Sequence, residues 1–122
     1  MILVIGGAGQ GKLDYVLEKT GCGPDEVAYD PETARTKPIF AGLEGWVRTH
    51  PEETLEGLLE ANPGIVVLCD EVGCGVVPMD QEERAWREAV GRLCCALAAR
   101  AGRVERVFCG LSMTLKGEET WK

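Results

Sequence analysis

The sequence predicts an α/β fold, a mainly parallel sheet layered between helices, and three observations carry that expectation. An apolar run from Met1 to Ile5 opens straight onto a glycine-rich turn and then a helical stretch. A second run, Ile65-Val-Val-Leu-Cys69, is continuously apolar and rich in β-branched residues, as a strand covered on both faces of a parallel sheet is. Strand-like and helix-like segments alternate along the chain, which places helices over the faces of one sheet. With 122 residues and 45% hydrophobic content, the chain is expected to form one domain over residues 1–122 around a single core.

The first strand ends in Gly6-Gly-Ala-Gly-Gln-Gly11-Lys12. Gly6, Gly7, Gly9 and Gly11 permit positive φ and close backbone approach, so successive N–H groups can converge on an anion. Lys12 supplies a point charge for outer phosphates. The helix that starts beside it, Leu13 to Thr20, adds the positive end of its dipole. The spacing G-x-x-x-x-G-K at the end of an N-terminal apolar strand is that of a phosphate-binding loop. Gly6, Gly7, Ala8, Gly9, Gln10, Gly11, Lys12 and Leu13 are its nucleotide-binding positions, and they refine the expected fold to a P-loop NTPase-like, three-layer arrangement. One position departs from the pattern. The residue after the lysine is normally Ser or Thr, whose hydroxyl holds Mg²⁺, and here it is Leu13.

Downstream, Glu26 to Tyr29 reads as a short strand closed by Asp30-Pro31. Residues 31–51 have little periodicity and contain Pro38, Gly42 and Gly45, so they are expected to form a long surface loop with one helical turn. Pro51-Glu-Glu53 opens a helix through Glu60, with proline and carboxylates in its first turn, and Asn62-Pro63-Gly64 stops it. The strand Ile65 to Cys69 follows. Asp80 with Glu83 reads as a capping box, and Trp86, Val90, Leu93, Leu97 and Ala101 recur behind it at helical spacing as a core stripe. Gly91 inside this helix costs about 1 kcal/mol against alanine, which points to a close packing contact there. Gly102 ends the helix, Val104 to Cys109 forms a further strand, and Ser112 to Leu115 a last short one.

The net charge of −7, without a Lys/Arg cluster, excludes nucleic acid and anionic membrane as main partners. The N-terminus lacks a basic segment and no apolar run reaches membrane length, so a cytoplasmic location and no membrane span are expected. None of the six cysteines forms a C-x-x-C pair, and buried, reduced thiols account for them best. Cys69 and Cys74, beside Asp70 and Glu71, remain as a thiol or metal alternative.

Ligands of open parallel sheets collect at the carboxyl ends of the strands. The glycine loop is one such end. The segment Asp70-Glu-Val-Gly-Cys-Gly-Val-Val-Pro78, made flexible by Gly73 and Gly75, is another. Asp70 and Glu71 are the candidate Mg²⁺ ligands or proton acceptors there, and with Lys12 they form the candidate catalytic set.

That segment, together with Arg84, Trp86-Arg87-Glu88, Gly91 and Cys109-Gly-Leu-Ser-Met-Thr-Leu-Lys116, resembles the bifunctional adenosylcobinamide kinase / adenosylcobinamide-phosphate guanylyltransferase family. The family pattern reads N-E-V-G-x-G-I-V-P, then an arginine, F-R-D, a helix glycine and a closing G-[IL]-P-x-x-L-K-like segment. Residues 1–16 and 64–117 carry the resemblance. It implies a protein of cobalamin biosynthesis or salvage that binds GTP or ATP with Mg²⁺ at Gly6 to Lys12 and phosphorylates the hydroxyl of adenosylcobinamide. It also implies Glu71 in the active site, phosphate or subunit contacts by Arg84 and Arg87, and a homo-oligomer, typically a trimer. Solvated helix arginines are the plainer reading of the last two residues.

The chain departs from that pattern at Leu13. A strand with an acidic end, and its helix, are expected to be missing between Glu60 and Ile65. The family's guanylylated histidine lies upstream of a W-x-T-x-E-like segment; here Trp46 is the comparable tryptophan, and the only histidine, His50, follows it as a displaced nucleophile candidate. Two functions stay open, a shortened kinase/nucleotidyltransferase or a non-catalytic relative that binds nucleotide or corrinoid and assembles with a partner.

Overall fold

A computed structural model of the chain describes residues 1–72, 80–117 and 121. Its strands are β1 (Ile2–Gly6), β2 (Val27–Ala28), β3 (Ile39–Phe40), β4 (Val66–Asp70), β5 (Arg103–Phe108) and β6 (Leu111–Lys116). Its helices are α1 (Lys12–Thr20), α2 (Pro31–Ala34), α3 (Leu43–Thr49), α4 (Glu56–Ala61) and α5 (Gln81–Arg100). The strands form one sheet in the order β2-β3-β4-β1-β5-β6, parallel except for β6, which returns antiparallel to β5.

Alternate strand residues divide the core into two halves, as strands covered on both faces require. Val4, Val27, Ile39, Val66, Leu68 and Val107 pack on one side with Val16 of α1. Leu3, Ala28, Phe40, Val67, Cys69 and Val104 pack on the other, against Leu43 and Val47 of α3, Leu58 and Leu59 of α4, and Ala89, Val90 and Leu97 of α5. This is the P-loop NTPase-like three-layer α/β fold that the glycine loop and the strand–helix alternation predict. The stripe on α5 is a core stripe, with Trp86 and Leu93 partly buried at its margin.

The largest difference lies in residues 31–51, which are not a long loop. They form α2, β3 and α3. Asp30 caps α2 by accepting Thr33 N–H at 2.8 Å, with Pro31 at the first helical position. Ile39 and Phe40 are fully buried and pair with β2 on one side and β4 on the other. Leu43 and Val47 of α3 then enter the same core as Phe40. Tertiary burial, not local periodicity, makes these short elements. A strand and helix thus stand upstream of Glu60, where the sequence was expected to lack them further on.

Smaller corrections follow from the same competition. α4 starts at Glu56 rather than Pro51, with Leu55 buried ahead of it. Asp80 accepts the N–H of Glu82 at 2.8 Å, while Glu83 turns away to pair with Arg48 at 3.0 and 3.2 Å, so no capping box forms. Gly91 is exposed, with open space where a Cβ would stand. Cys69 is buried and Cys94 half-buried, and a hydrogen bond between them together with burial pushes the Cys69 thiol up. Cys95 and Cys109 are exposed, contrary to the buried-thiol expectation; Cys109 leaves β5 at φ 53 in the β5–β6 turn. Cys74, Gly73, Gly75 and Pro78 lie outside the described residues. Among the described residues no helix is long and apolar enough to cross a membrane, and no group of metal-binding side chains converges.

Candidate functional site

The strand order creates the site. β1 and β4 are neighbours, yet the chain leaves β1 through α1 towards β2 and leaves β4 through α5, on the opposite face, towards β5. Connections that part to opposite sides open a crevice at the carboxyl ends of the two strands. Gly6 and Asp70 are register partners there, and Glu71 N–H donates to Gly6 O at 2.8 Å. The loop from Gly6 to Lys12 crosses that opening.

Two glycines of the loop are fixed by geometry. A Cβ on Gly6 would stand 2.4 Å from the backbone oxygen of Val107 on β5, so no larger residue fits without moving the sheet. Gly11 holds φ 92 as the residue that opens α1, a left-handed conformation L side chains rarely adopt. Among the described residues no side chain caps α1, which leaves the first amides of the helix without an intrahelical or side-chain acceptor. Gly9, Gly11, Lys12, Leu13, Asp14, Ala41, Gly42, Glu44, Leu68 and Asp70 line a cavity of about 240 Å³ in front of them. Such a volume is of the size of a few phosphate groups and smaller than a whole nucleotide.

Lys12 is largely buried, and its ammonium is already partnered. Nζ donates to Gly7 O at 3.0 Å and meets Asp70 Oδ1 at 2.5 Å. The structure thus brings two of the three predicted catalytic residues together. Glu71 points elsewhere: its carboxylate binds Arg106 of β5, with Nε and Nη2 at 3.2 and 3.1 Å from Oε2.

Gln10, predicted to face a nucleotide, is committed to the β5–β6 turn. Its Oε1 accepts Cys109 N–H at 2.7 Å and its backbone oxygen accepts Gly110 N–H at 2.8 Å. The hairpin thereby braces the loop from outside. Leu13 packs its side chain against the α1 face of the core.

Glu44 is the site residue that sequence reasoning missed. It stands in the first turn of α3, lines the cavity, and accepts Asp70 N–H at 2.9 Å through Oε1. Its backbone oxygen accepts Trp86 Nε1–H at 2.7 Å, and the Arg48 guanidinium lies 3.7 Å over the Trp86 ring. α3 and α5 are thus tied to the end of β4. The only sequence signal was a carboxylate two residues after Gly42, in a segment read as loop.

His50 is not among the residues that line this cavity. Its ring stacks on Trp46 at 4.8 Å and 10°, Nδ1 contacts Trp46 O at 3.1 Å, and Nε2 lies 3.6 Å from Glu53. Arg84 is exposed on α5, and Arg87 half-buried.

Mg²⁺ requires near-octahedral oxygen ligation, and the donors here do not offer it. Leu13 has no oxygen to offer. Asp70 is held by Lys12, Glu71 by Arg106, and Glu44 gives one oxygen to Asp70 N–H. Asp14, exposed at the rim, is the remaining carboxylate of the cavity. Among the described residues these do not make a resident Mg²⁺ site.

The family model described as cobinamide kinase / cobinamide phosphate guanyltransferase matches residues 27–115, beginning downstream of the glycine loop. The bifunctional adenosylcobalamin biosynthesis protein CobP of Pseudomonas aeruginosa is 40% identical over 67 residues, a stretch that is 55% of this chain. The same stretch spans 39% of that relative's length. With most of its length matched, the chain belongs to the cobinamide kinase / cobinamide phosphate guanyltransferase family.

Proposed function

We propose that this chain binds GTP or ATP at Gly6–Leu13 and serves cobalamin biosynthesis or salvage through that site. The observation that carries the reading is the buried Lys12 ammonium at the crevice between β1 and β4, beside the uncapped start of α1. The amides and the ammonium supply what a phosphate chain needs. Adenosylcobinamide is the second ligand this reading assigns, from family membership.

Two activities divide the reading. In the first, the γ-phosphoryl group passes to the adenosylcobinamide hydroxyl, with Lys12 on the transferred group and Asp70 beside it. In the second, nucleotide or corrinoid binds without turnover, and the chain acts as a binding or assembly partner. The pairing of Lys12 with Asp70 and the apolar Leu13 favour the second. Incubation with γ-labelled GTP or ATP and adenosylcobinamide separates them. Label recovered in the corrinoid establishes the kinase, whereas retained binding with no transferred label assigns the binding role.

Assembly with further copies, three by the family resemblance, is the partner reading. Phe108, Leu111, Met113 and Leu115 are exposed on the β5–β6 hairpin, and among the described residues β6 has one unpaired edge in the sheet. Light scattering is expected to give a multiple of 13.2 kDa, and a mass of one chain at working concentration overturns it.

A further inference from the structure

We infer that the glycine loop takes its nucleotide as the free polyanion, without a divalent cation. The inference rests on the nucleotide reading above and concerns how the phosphate charge is met. In loops of this pattern the hydroxyl after the lysine and a carboxylate on a neighbouring strand hold Mg²⁺ between them. Here both are removed from that task, each by a visible contact. Leu13 is half-buried, packed against the core on one side and lining the cavity on the other, so the position presents an apolar surface instead of an oxygen. Asp70 Oδ1 lies 2.5 Å from Lys12 Nζ, and the backbone of Asp70 is pinned by Glu44 at 2.9 Å.

A hydrated Mg²⁺ delivered with the nucleotide would meet the Leu13 methyl groups on one side. Its bound waters would lose hydrogen bonds there and gain none. Lys12 and the first amides of α1 are the positive groups left to meet the phosphates. The ammonium does so by exchanging Asp70 for a phosphate oxygen, one anionic partner for another. Asp14 and Glu44, the other carboxylates of the cavity, are the groups that would hold a cation if one were bound.

Calorimetric titration of GTP and of ATP into the wild-type chain, in excess Mg²⁺ and in EDTA, tests this. Dissociation constants within about twofold of each other are expected, together with a gain of Mg²⁺ dependence in Leu13→Ser. Binding tightened tenfold or more by Mg²⁺ in the wild type overturns the inference and leaves the nucleotide reading standing; loss of that tightening in Asp14→Asn would place the cation at the cavity rim. Absence of binding in both arms by a folded chain overturns the nucleotide reading itself, and this inference falls with it.

Discussion

Lys12→Ala is expected to weaken GTP and ATP binding by about a hundredfold or more. Among the described residues the ammonium is the one side-chain cation lining the cavity, against the carboxylates of Asp14, Glu44 and Asp70. A charge-assisted hydrogen bond of this kind is worth up to about 3 kcal/mol, which corresponds to roughly a hundredfold in affinity. Removing it also leaves Asp70 facing the phosphates unneutralised, so repulsion adds to the lost attraction. Asp70→Asn is expected to act in the opposite direction. It frees Lys12 from its present partner and tightens binding about tenfold, because the phosphate no longer competes for the ammonium. Were Asp70 a metal ligand, the same variant would weaken binding in Mg²⁺. Calorimetry on both variants decides between these signs, and retention of the wild-type thermal transition shows that each remains folded.

Glu105→Ala is expected to destabilise the fold by about 3 kcal/mol, the cost typical of breaking a buried pair on one side. Glu105 is fully buried in β5, and its carboxylate accepts from Tyr15 Oη, Arg103 Nε and Trp121 Nε1. The Tyr15 and Trp121 rings meet edge to face at 5.9 Å and 82°. One carboxylate of β5 thus joins α1 and the C-terminal segment to the sheet. Burial pushes the Glu105 carboxyl up, but the hydrogen bonds from Tyr15, Arg103 and Trp121 outweigh it, and the net position is below the ordinary glutamate range. A depressed folded value means that the stabilisation is fully present above the unfolded carboxyl value of about 4.3 and is lost as pH falls through the folded value. Urea midpoints should therefore separate wild type from Glu105→Gln at neutral pH and converge in acid. Equal midpoints at neutral pH would mean that the cluster contributes nothing net.

What could be read from the sequence follows from where the information is local. β1, β4 and α5 announce themselves as unbroken apolar runs or a helical stripe, and the glycine loop as a spacing of residue types. β3 and α3 do not. β3 is Ile39 and Phe40 alone, bracketed by Pro38 and Gly42, and becomes a strand because β2 and β4 flank it. α3 starts at a glycine without a side-chain cap.

The site divides in the same way. Lys12 was legible as a candidate from the glycine-loop spacing and Asp70 from its place at the end of β4, since strand ends are where ligands bind. Their mutual contact was not, since 58 residues separate them and only the sheet order makes them neighbours. Glu44 was hidden because its role depends on α3 lying over β4. Glu71 looked equivalent to Asp70, but side chains alternate along a strand, and the next residue turns towards Arg106 instead of Lys12. Gln10 belongs to the loop by spacing but to the hairpin by contact.

In the proposed role a nucleotide's phosphates occupy the cavity in front of Lys12. The most direct measurement is an amide chemical-shift map recorded while GTP or ATP is titrated into the wild-type chain and into Lys12→Ala. Saturable shifts are expected at Gly9, Gly11 and Leu13 in the wild type, none at His50, and their loss in the variant. Shifts centred on Trp46 and His50, or loop shifts that survive the removal of Lys12, would contradict it.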